Sequence, residues 1–444
     1  MNHSSWSSKI GFVLAAAGSA IGLGAIWKFP YTAGTNGGAV FFLLFLLFTV
    51  LVALPVQLSE FYIGRTGGQN AIDSFKALRP GSAWPWVGRL GVAACFILLS
   101  FYSVVGGWVI NYVVHSFSGA IHEGADFNAL FGATISNTWG ALFYQGIFML
   151  ITVWVVKGGI SDGIEKANKY LMPGLFVLFI VLAARSLTLP GAMEGVSFLL
   201  KPDWSYIKPQ TMITALGQAF FALSIGVSAM ITYASYLSKD QDMFRSGNII
   251  MWMNLLVSLL AGLVIFPAVF AFGFEPSQGP GLIFVVLPAV FMKMPFGQWL
   301  FAVFMLLVVF ATLTSAFSML ETVIAATIRK DESKRSLHTW VIGAAIFVIG
   351  IPSALSFGVW SEFKVFGKTV FDLWDYAISA VVMPISALST AVFTSWVQDR
   401  QAVLNAVSQG STVPQSIIRL WLGVLRYVAP LAIIVVFLNS LGLF

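Results

Sequence analysis

The chain has 444 residues, of which 58% are hydrophobic and only 9% are charged. About a quarter of the residues of a soluble domain carry a charge, so this composition excludes an ordinary soluble protein and indicates a polytopic membrane protein. The net charge of +6 does not indicate nucleic-acid binding, because the basic residues lie in short loops between apolar runs. The single cysteine, Cys95, lies inside an apolar run and excludes a disulfide framework.

Eleven apolar runs are long enough to cross about 30 Å of hydrocarbon. A further apolar stretch, residues 279–295, is short and flanked by proline, and we predict a re-entrant or lid-like outer loop there. The sequence therefore predicts an all-α membrane protein with about eleven transmembrane helices. The predicted spans are 11–35, 39–63, 88–117, 138–157, 167–187, 211–237, 246–273, 297–328, 338–357, 369–398 and 420–443.

The distribution of lysine and arginine predicts how the chain is oriented. If the N-terminus is cytoplasmic, 17 of the 24 basic residues fall on the cytoplasmic side, which agrees with the excess of positive charge in cytoplasmic loops. We therefore predict a multi-pass protein of the cell membrane whose N-terminus is cytoplasmic and whose C-terminus faces outward.

Small residues interrupt two of the predicted spans at mid-depth. The first span contains Gly18, Gly22 and Gly24, and the sixth contains Gly226 between two serines. Each glycine inside a helix costs about 1 kcal/mol relative to alanine. Such residues either allow close helix packing or break the helix where its freed backbone groups bind an ion and a substrate.

The positions of the two interruptions favour a transporter. We predict a single transmembrane domain over residues 1–444, with one repeat at about 9–187, a second at about 211–398 and an extra helix at about 414–444. The interrupted spans then hold corresponding places in the two repeats, which is the pattern of a binding site at the middle of the membrane.

Five motifs along the chain carry a family resemblance. They are GSAIGLGAIWKFPYTAGTNGGAVF at 18–41, PVQLSEFYIGR at 55–65, GQAFFALSIG at 217–226, ATLTSAFSMLE at 311–321 and DLWD at 372–375. Together they resemble the neurotransmitter:sodium symporter family and its bacterial eleven-span amino-acid transporters, such as the leucine transporter. The resemblance implies a 5+5 inverted repeat and sodium-coupled transport by alternating access. Inverted repeats are a known feature of that family, so the two predicted repeats do not support transport independently of the resemblance.

Adjacent hydroxyl groups lie deep in the eighth predicted span, at Thr314 and Ser315. Such hydroxyls either bond to a carbonyl of their own helix or serve as oxygen ligands of a hard cation. The resemblance implies the second sodium site of the family, formed here by the carbonyls of Gly18, Ile21 and Ala311 and the hydroxyls of Thr314 and Ser315.

The first sodium site of the family has fewer matching residues. The resemblance places its ligands at Ala20, Ala222 and Asn254. However, the asparagine and the hydroxyl residue that the family usually supplies are here Ala25 and Ala222. Because a hard cation needs several oxygen ligands, we predict that sodium coupling depends mainly on the second site.

Chloride dependence stays open from the sequence. Chloride-dependent relatives share Gln218, Asn254 and Ser258 with this chain, but their tyrosine and serine are replaced here by Phe45 and Ala222. Chloride-independent relatives carry a glutamate near Ser258, where this chain has none. The balance favours independence of chloride.

The interrupted spans also predict how a substrate binds. The amides of Leu23 and Gly24, at the positive end of a half-helix, suit a carboxylate. The resemblance implies that Tyr102 donates a hydrogen bond to the same carboxylate, although a tyrosine in a span equally serves helix packing. The carbonyls that suit an ammonium group belong to Ala20, Phe221, Ala222 and Ser224, and the side-chain half of the pocket is predicted from Leu98, Phe221, Val227, Ala316 and Met319.

The predicted side-chain pocket carries no charge, so the favoured substrate is a neutral apolar or aromatic L-amino acid. Its flexible methionine and small alanine accommodate several sizes. The missing asparagine and hydroxyl near the carboxylate leave a modified amino acid or another small amine as an alternative.

The resemblance also implies gates at both ends of the transport path. Lys28 and Asp375 correspond to the outer gate pair, with Phe221 as an aromatic lid. The alternative is a pair of interfacial residues that extend to the lipid headgroups.

On the inner side, Trp6 corresponds to the tryptophan that closes the cytoplasmic path. The acid expected nearby is absent, because Arg329 holds roughly its place, and Asp331 is a candidate substitute.

Two carboxylates, Glu60 and Glu321, lie inside predicted spans. An acid inside a membrane span is a functional candidate by default. The resemblance implies that Glu60 braces the broken first helix, and we expect Glu321 to lie below the ion site and to brace the helices as well. A proton-coupled carrier that uses one of these acids is an alternative.

Two other classes of function compete with transport. The histidines have no metal-binding spacing, so we do not expect an enzyme; they are His3, His115, His122 and His338. A channel needs rings of similar groups along a pore, whereas the polar groups here cluster at one depth. The sequence therefore predicts a sodium-coupled amino-acid importer in the lipid bilayer, and it indicates no oligomeric state.

Overall fold

The structure is a computed structural model that describes residues 5–274, 279–329 and 331–443; His3 lies outside these ranges. Nine helices in this part of the chain are long and apolar enough to cross a membrane. They are Ala39–Gly67, Pro85–Phe117, Thr138–Val156, Ile160–Leu187, Met243–Ala271, Gly297–Ile328, Glu332–Leu355, Val370–Val397 and Gln415–Ser440.

Two further spans are each built from two helices. In the first span, Lys9–Ala20 and Gly24–Thr35 meet at a bend of 51°. In the sixth, residues 223–228 separate Pro209–Ala222 from Ala229–Ser235. The predicted interruptions are therefore breaks in the helices. The nine long helices and the bent pair of the described chain lie within a few residues of ten predicted spans, and the sixth predicted span is formed by the two shorter helices.

The break in the sixth span has an unusual backbone conformation. Ser224 and Ser228 have φ angles of 53° and 59°, in the left-handed region that residues with a Cβ rarely adopt. Gly226 has φ 88°, and a Cβ there would lie 2.3 Å from the carbonyl oxygen of Met383. Strained residues of this kind cost about 1–3 kcal/mol each and persist only where neighbouring contacts fix them.

Neighbouring spans supply those contacts. The third and eighth spans, Pro85–Phe117 and Gly297–Ile328, pack against each other and enclose the breaks. From the third span, Cys95 Sγ donates to the carbonyl oxygen of Val227 at 3.0 Å. This freed carbonyl of the sixth span thus finds a partner inside the protein, as a break at membrane depth requires.

Residues 279–295 form a short loop with two turns of helix rather than a twelfth span, in agreement with the prediction of a re-entrant or lid-like loop. They contain a 3₁₀ turn, Gly279–Leu282, and a helix, Val286–Met292. Phe284 is fully buried, and its ring centroid lies 5.1 Å from that of Tyr112. The other connecting α-helices are Ala71–Leu78, Phe127–Ser136, Ala192–Leu200 and Arg400–Ser408.

Candidate substrate and ion site

A small cavity of about 40 Å³ lies where the two breaks meet. Two residues predicted to line it, Ala222 and Ala316, do not. Ala316 is rotated by about 100° around the helix axis from its neighbour Ser315, which faces the cavity. The predicted residues that do line it are Ala20, Leu23, Gly24, Leu98, Tyr102, Phe221, Ser224, Val227 and Met319.

The cavity also has walls that the sequence analysis missed. Ser318 lies one helical turn after Thr314, so its spacing was an available signal, and it accepts a hydrogen bond from Ser19 Oγ at 2.7 Å. Met383 is an ordinary apolar residue of the tenth span, and nothing in the neighbouring sequence indicates that it lines the cavity. The missed lining residues are Ser19, Gly22, Ala229, Ser318 and Met383.

The polar end of the cavity is built around Gly22. A Cβ there would lie 2.4 Å from the hydroxyl oxygen of Ser315 and 3.1 Å from that of Tyr102. The Tyr102 hydroxyl is buried and has no hydrogen-bond partner among the described residues. The amides of Leu23 and Gly24 also make no hydrogen bond across the break. These three donors lie close together, with the Leu23 amide near the Tyr102 hydroxyl, and together they suit one anionic group.

The hydroxyl pair of the eighth span reaches the first span. Thr314 Oγ1 lies 2.9 Å from the carbonyl oxygen of Gly18 and 3.0 Å from that of Ala311. Ser315 Oγ lies 3.2 Å from the same Gly18 oxygen. Of these three contacts, only the one between Thr314 and Ala311 lies within a single helix. Four of the five predicted ligands, the two hydroxyls and the carbonyls of Gly18 and Ala311, thus lie together in the oxygen environment that a hard cation prefers. Among the described residues, the carbonyl of Ile21 accepts no hydrogen bond from either hydroxyl.

The residues predicted for the first sodium site also lie together. Asn254 Nδ2 donates to the carbonyl oxygens of Ala20, at 3.1 Å, and Ala222, at 2.9 Å. Asn254 is fully buried, and its Oδ1 has no hydrogen-bond partner among the described residues. At this position the two broken helices are joined by an amide nitrogen.

A model of the sodium:neurotransmitter symporter family matches residues 3–125 and 130–444. The chain belongs to this family. The uncharacterized sodium-dependent transporter YhdH of Bacillus subtilis is 51% identical over 99% of this chain and 98% of its own length. Another uncharacterized sodium-dependent transporter, from Haemophilus influenzae, is 36% identical over 98% of both chains.

The fold of the symporter matches that of a solved relative. The crystal structure of MhsT in complex with L-phenylalanine superimposes with a TM-score of 0.90 and 42% identity, over 99% of this chain and 100% of that one. The comparisons confirm the predicted family and the all-α membrane fold. The symporter is thus a sodium-dependent transporter and not an enzyme, as predicted.

At one end of the symporter, the predicted gate pair is not in contact. No ion pair among the described residues joins Lys28 to Asp375. Lys28 Nζ instead lies 4.2 Å from the centroid of the Phe221 ring, and the exposed Asp375 accepts a hydrogen bond from Ser379 at 2.9 Å. An ammonium is attracted to an aromatic face, and a larger cavity of about 450 Å³ opens beside Lys28. Phe221 and Met383 line both cavities.

At the other end, Trp6 is buried against the sixth span. Its Nε1 donates to the carbonyl oxygen of Tyr233 at 3.0 Å, and the two rings pack edge to face at 5.2 Å. Asp331 does not take the place of the missing acid. Its carboxylate is occupied by Ser333 and Lys334, whose hydrogen bonds lower the pKa of Asp331.

A different acid holds the segment that carries Trp6. Glu165, in the fifth span, accepts hydrogen bonds from the Ser7 amide at 2.7 Å, the Ser7 hydroxyl at 2.6 Å and the Ser8 hydroxyl at 2.8 Å. Lys169 pairs with the same carboxylate at 2.8 Å. The sequence did not indicate this contact, because its partners are far apart in the chain.

Both intramembrane carboxylates contact helices that they could brace. Glu321 forms a two-point ion pair with Arg335, at 2.6 and 3.0 Å, and accepts from the Tyr236 hydroxyl at 2.7 Å. Glu60 accepts from the Gly226 amide at 2.8 Å. Its observed partner is therefore in the sixth span rather than in the first, because the conformation of the sixth-span break exposes that amide.

Proposed function

We propose that this symporter imports neutral apolar or aromatic L-amino acids together with sodium by alternating access. One observation carries the proposal: the cavity between the two breaks combines three donors at its polar end with an apolar wall, and its described lining residues carry no charge. The likeness to MhsT, solved with L-phenylalanine, supports the same substrate class.

The polar end suits the backbone groups of an amino acid. The carboxylate would accept hydrogen bonds from the Leu23 and Gly24 amides and the Tyr102 hydroxyl. The positive end of the helix Gly24–Thr35 adds a favourable electrostatic term. The carbonyls of Phe221 and Ser224 would accept hydrogen bonds from the ammonium group. A zwitterion thus finds both partners without a charged side chain.

The remaining walls of the cavity suit an apolar side chain. Leu98, Val227, Met319 and Met383 surround it. Because methionine adapts its shape to its neighbours, we expect several amino acids of different size to be carried.

Ion binding and gating complete the proposed cycle. Sodium at the Thr314–Ser315 cluster would tie the eighth span to the first, and both broken helices also contact the substrate. Phe221 separates the small cavity from the larger one, which we assign to the outer side. Trp6 closes the cytoplasmic side, where we place the N-terminus, and the protein then lies in the cell membrane.

Two alternatives remain within transport. Ala25 and Ala222 leave less polar surface near the carboxylate, which would also suit a modified amino acid or another small amine. A proton-coupled carrier would use Glu60 or Glu321, but Glu321 is paired with Arg335 at both oxygens, and Glu60 accepts a hydrogen bond from Gly226 at one of its two oxygens. Those bonds favour bracing.

A thermal-shift screen tests the substrate class. Purified protein is heated with each of the twenty L-amino acids and with matching amines that lack the carboxyl group, with and without sodium. A ligand that binds only the folded state raises the melting temperature. We expect stabilisation by apolar and aromatic amino acids only when sodium is present. Stabilisation by the amines, or uptake into proteoliposomes driven by a pH gradient without sodium, would support the alternatives.

Tyr102→Phe is expected to weaken substrate binding by about 10- to 100-fold, because a hydrogen bond to a charged group contributes about 1.5–3 kcal/mol. Tyr112→Phe is the matched control. Tyr112 lies on the same helix, and its buried hydroxyl also has no partner among the described residues, but it does not line the cavity. Equal effects of the two substitutions on substrate affinity would contradict the assigned role.

A further inference from the structure

Asn254 holds the two broken helices together at one point. Ala20 is the last residue of the helix Lys9–Ala20, and Ala222 is the last residue of the helix Pro209–Ala222. The carboxamide nitrogen of Asn254 has two hydrogens, and it donates one to each of these terminal carbonyls. The orphan carbonyls at two helix ends are thus satisfied by one neutral side chain.

The same position is a poor place for a sodium ion. A hard cation needs several oxygen ligands, whereas Asn254 turns its nitrogen towards the two carbonyls that converge here and offers only its unpaired Oδ1 as a side-chain oxygen. The two nearby positions that could add a side-chain oxygen, 25 and 222, are both alanine. An ion at this point would have too few ligands to compensate for the loss of its hydration shell.

The polar side chains around Asn254 carry no compensating charge. Ser258 lies one turn further along the same helix, and its buried hydroxyl has no partner among the described residues. Gln218, one turn before Ala222, donates to the carbonyl oxygen of Gly24 at 2.7 Å. Neither side chain is a carboxylate, and the Gln218 amide is already used. The side chains named at this junction are therefore uncharged, and none of them would balance the charge of a bound cation.

We propose that the Asn254 carboxamide takes the place of an ion at this junction, and that the symporter carries a single sodium ion per substrate, independently of chloride. The inference rests on the proposed function and adds its stoichiometry. The one ion is held at the Thr314–Ser315 cluster, where hydroxyls and carbonyls from two spans converge.

Direct measurement of sodium binding tests this stoichiometry. Radioactive sodium is bound to purified wild-type protein with saturating L-phenylalanine, or with the amino acid that stabilises the protein most. We expect one equivalent of sodium per protein and a Hill coefficient of about one, both unchanged when chloride is replaced by gluconate. Two equivalents, or a requirement for chloride, would overturn the inference and leave the proposed function standing. Sodium-independent binding of every amino acid would instead refute the proposed function.

Two variants test the role of Asn254 itself. In Asn254→Leu, the loss of the bridge should weaken substrate binding about tenfold or more while the sodium equivalent stays at one. A loss of that equivalent would mean that Asn254 holds the ion. Asn248→Leu is the control, since Asn248, on the same helix, donates only to its own helix at Phe244, and it should leave both quantities unchanged.

The double variant Ala25→Asn/Ala222→Ser tests the missing ligands. By restoring two side-chain oxygens, it should raise sodium binding towards two equivalents. A folded double variant that still binds one equivalent would show that these alanines are not what excludes a second ion.

Discussion

Thr314→Val is expected to abolish sodium-dependent uptake into proteoliposomes at sodium concentrations that just saturate the wild type. Valine keeps the shape of threonine but removes the hydroxyl that lies 2.9 Å from the carbonyl oxygen of Gly18. The loss of one oxygen ligand of a charged group costs about 1.5–3 kcal/mol, which weakens sodium binding by about 10- to 100-fold. Uptake of the amino acid, titrated with sodium at fixed substrate concentration, measures this effect.

Thr312→Val provides the matched control for this prediction. Thr312 is also buried in the eighth span, but its hydroxyl bonds only to its own helix, at Val309, 2.9 Å away. Its sodium titration should match that of the wild type. Sodium dependence should also persist in Asn254→Ala, although substrate binds more weakly. The reverse pattern, with sodium dependence lost in Asn254→Ala and kept in Thr314→Val, would refute the assignment of the ion to the Thr314–Ser315 cluster.

Arg335→Ala is expected to lower the free energy of unfolding by about 3–5 kcal/mol. The Arg335 and Glu321 side chains are 6% and 0% exposed, and their closest atoms are 2.6 Å apart. Without the guanidinium, Glu321 remains as a buried charge whose main partner is the Tyr236 hydroxyl. The midpoint of thermal unfolding of the detergent-solubilised protein measures the loss.

Lys334→Ala is the control, because it removes an exposed ion pair at the position next to Arg335 in the chain. Lys334 and Asp331 are 2.9 Å apart, with side chains 60% and 45% exposed. Such pairs contribute about 0–1 kcal/mol. The double variant Glu321→Gln/Arg335→Leu should recover most of the lost stability, since no buried charge is then left unpaired. If Arg335→Ala were no more destabilising than Lys334→Ala, the pair would not brace the eighth and ninth spans.

The features that the sequence predicted are those that local patterns determine. Small residues at Gly22, Gly24 and Gly226 mark the places where helices break. The adjacent hydroxyls of Thr314 and Ser315 mark oxygen ligands on one helix face. Each of these signals needs only a few neighbouring residues and the periodicity of a helix. The family resemblance then extended them to most of the lining of the small cavity.

The features that the sequence did not predict depend on partners from distant parts of the chain. Glu165 and Ser7 are 158 residues apart, and no local pattern indicates that they meet. Glu60 bonds to the sixth span because side-chain direction follows from packing. Lys28 lies over an aromatic ring rather than beside Asp375, and a large cavity opens next to it.

Phe221 and Met383 belong to the walls of two cavities at once. In the proposed cycle, a substitution that shortens either side chain to admit a bulkier amino acid would also weaken the barrier between the bound substrate and the larger cavity. The range of substrates and the tightness of closure would therefore change together at these two positions. During divergence from a common ancestor, natural selection would have to trade one property against the other.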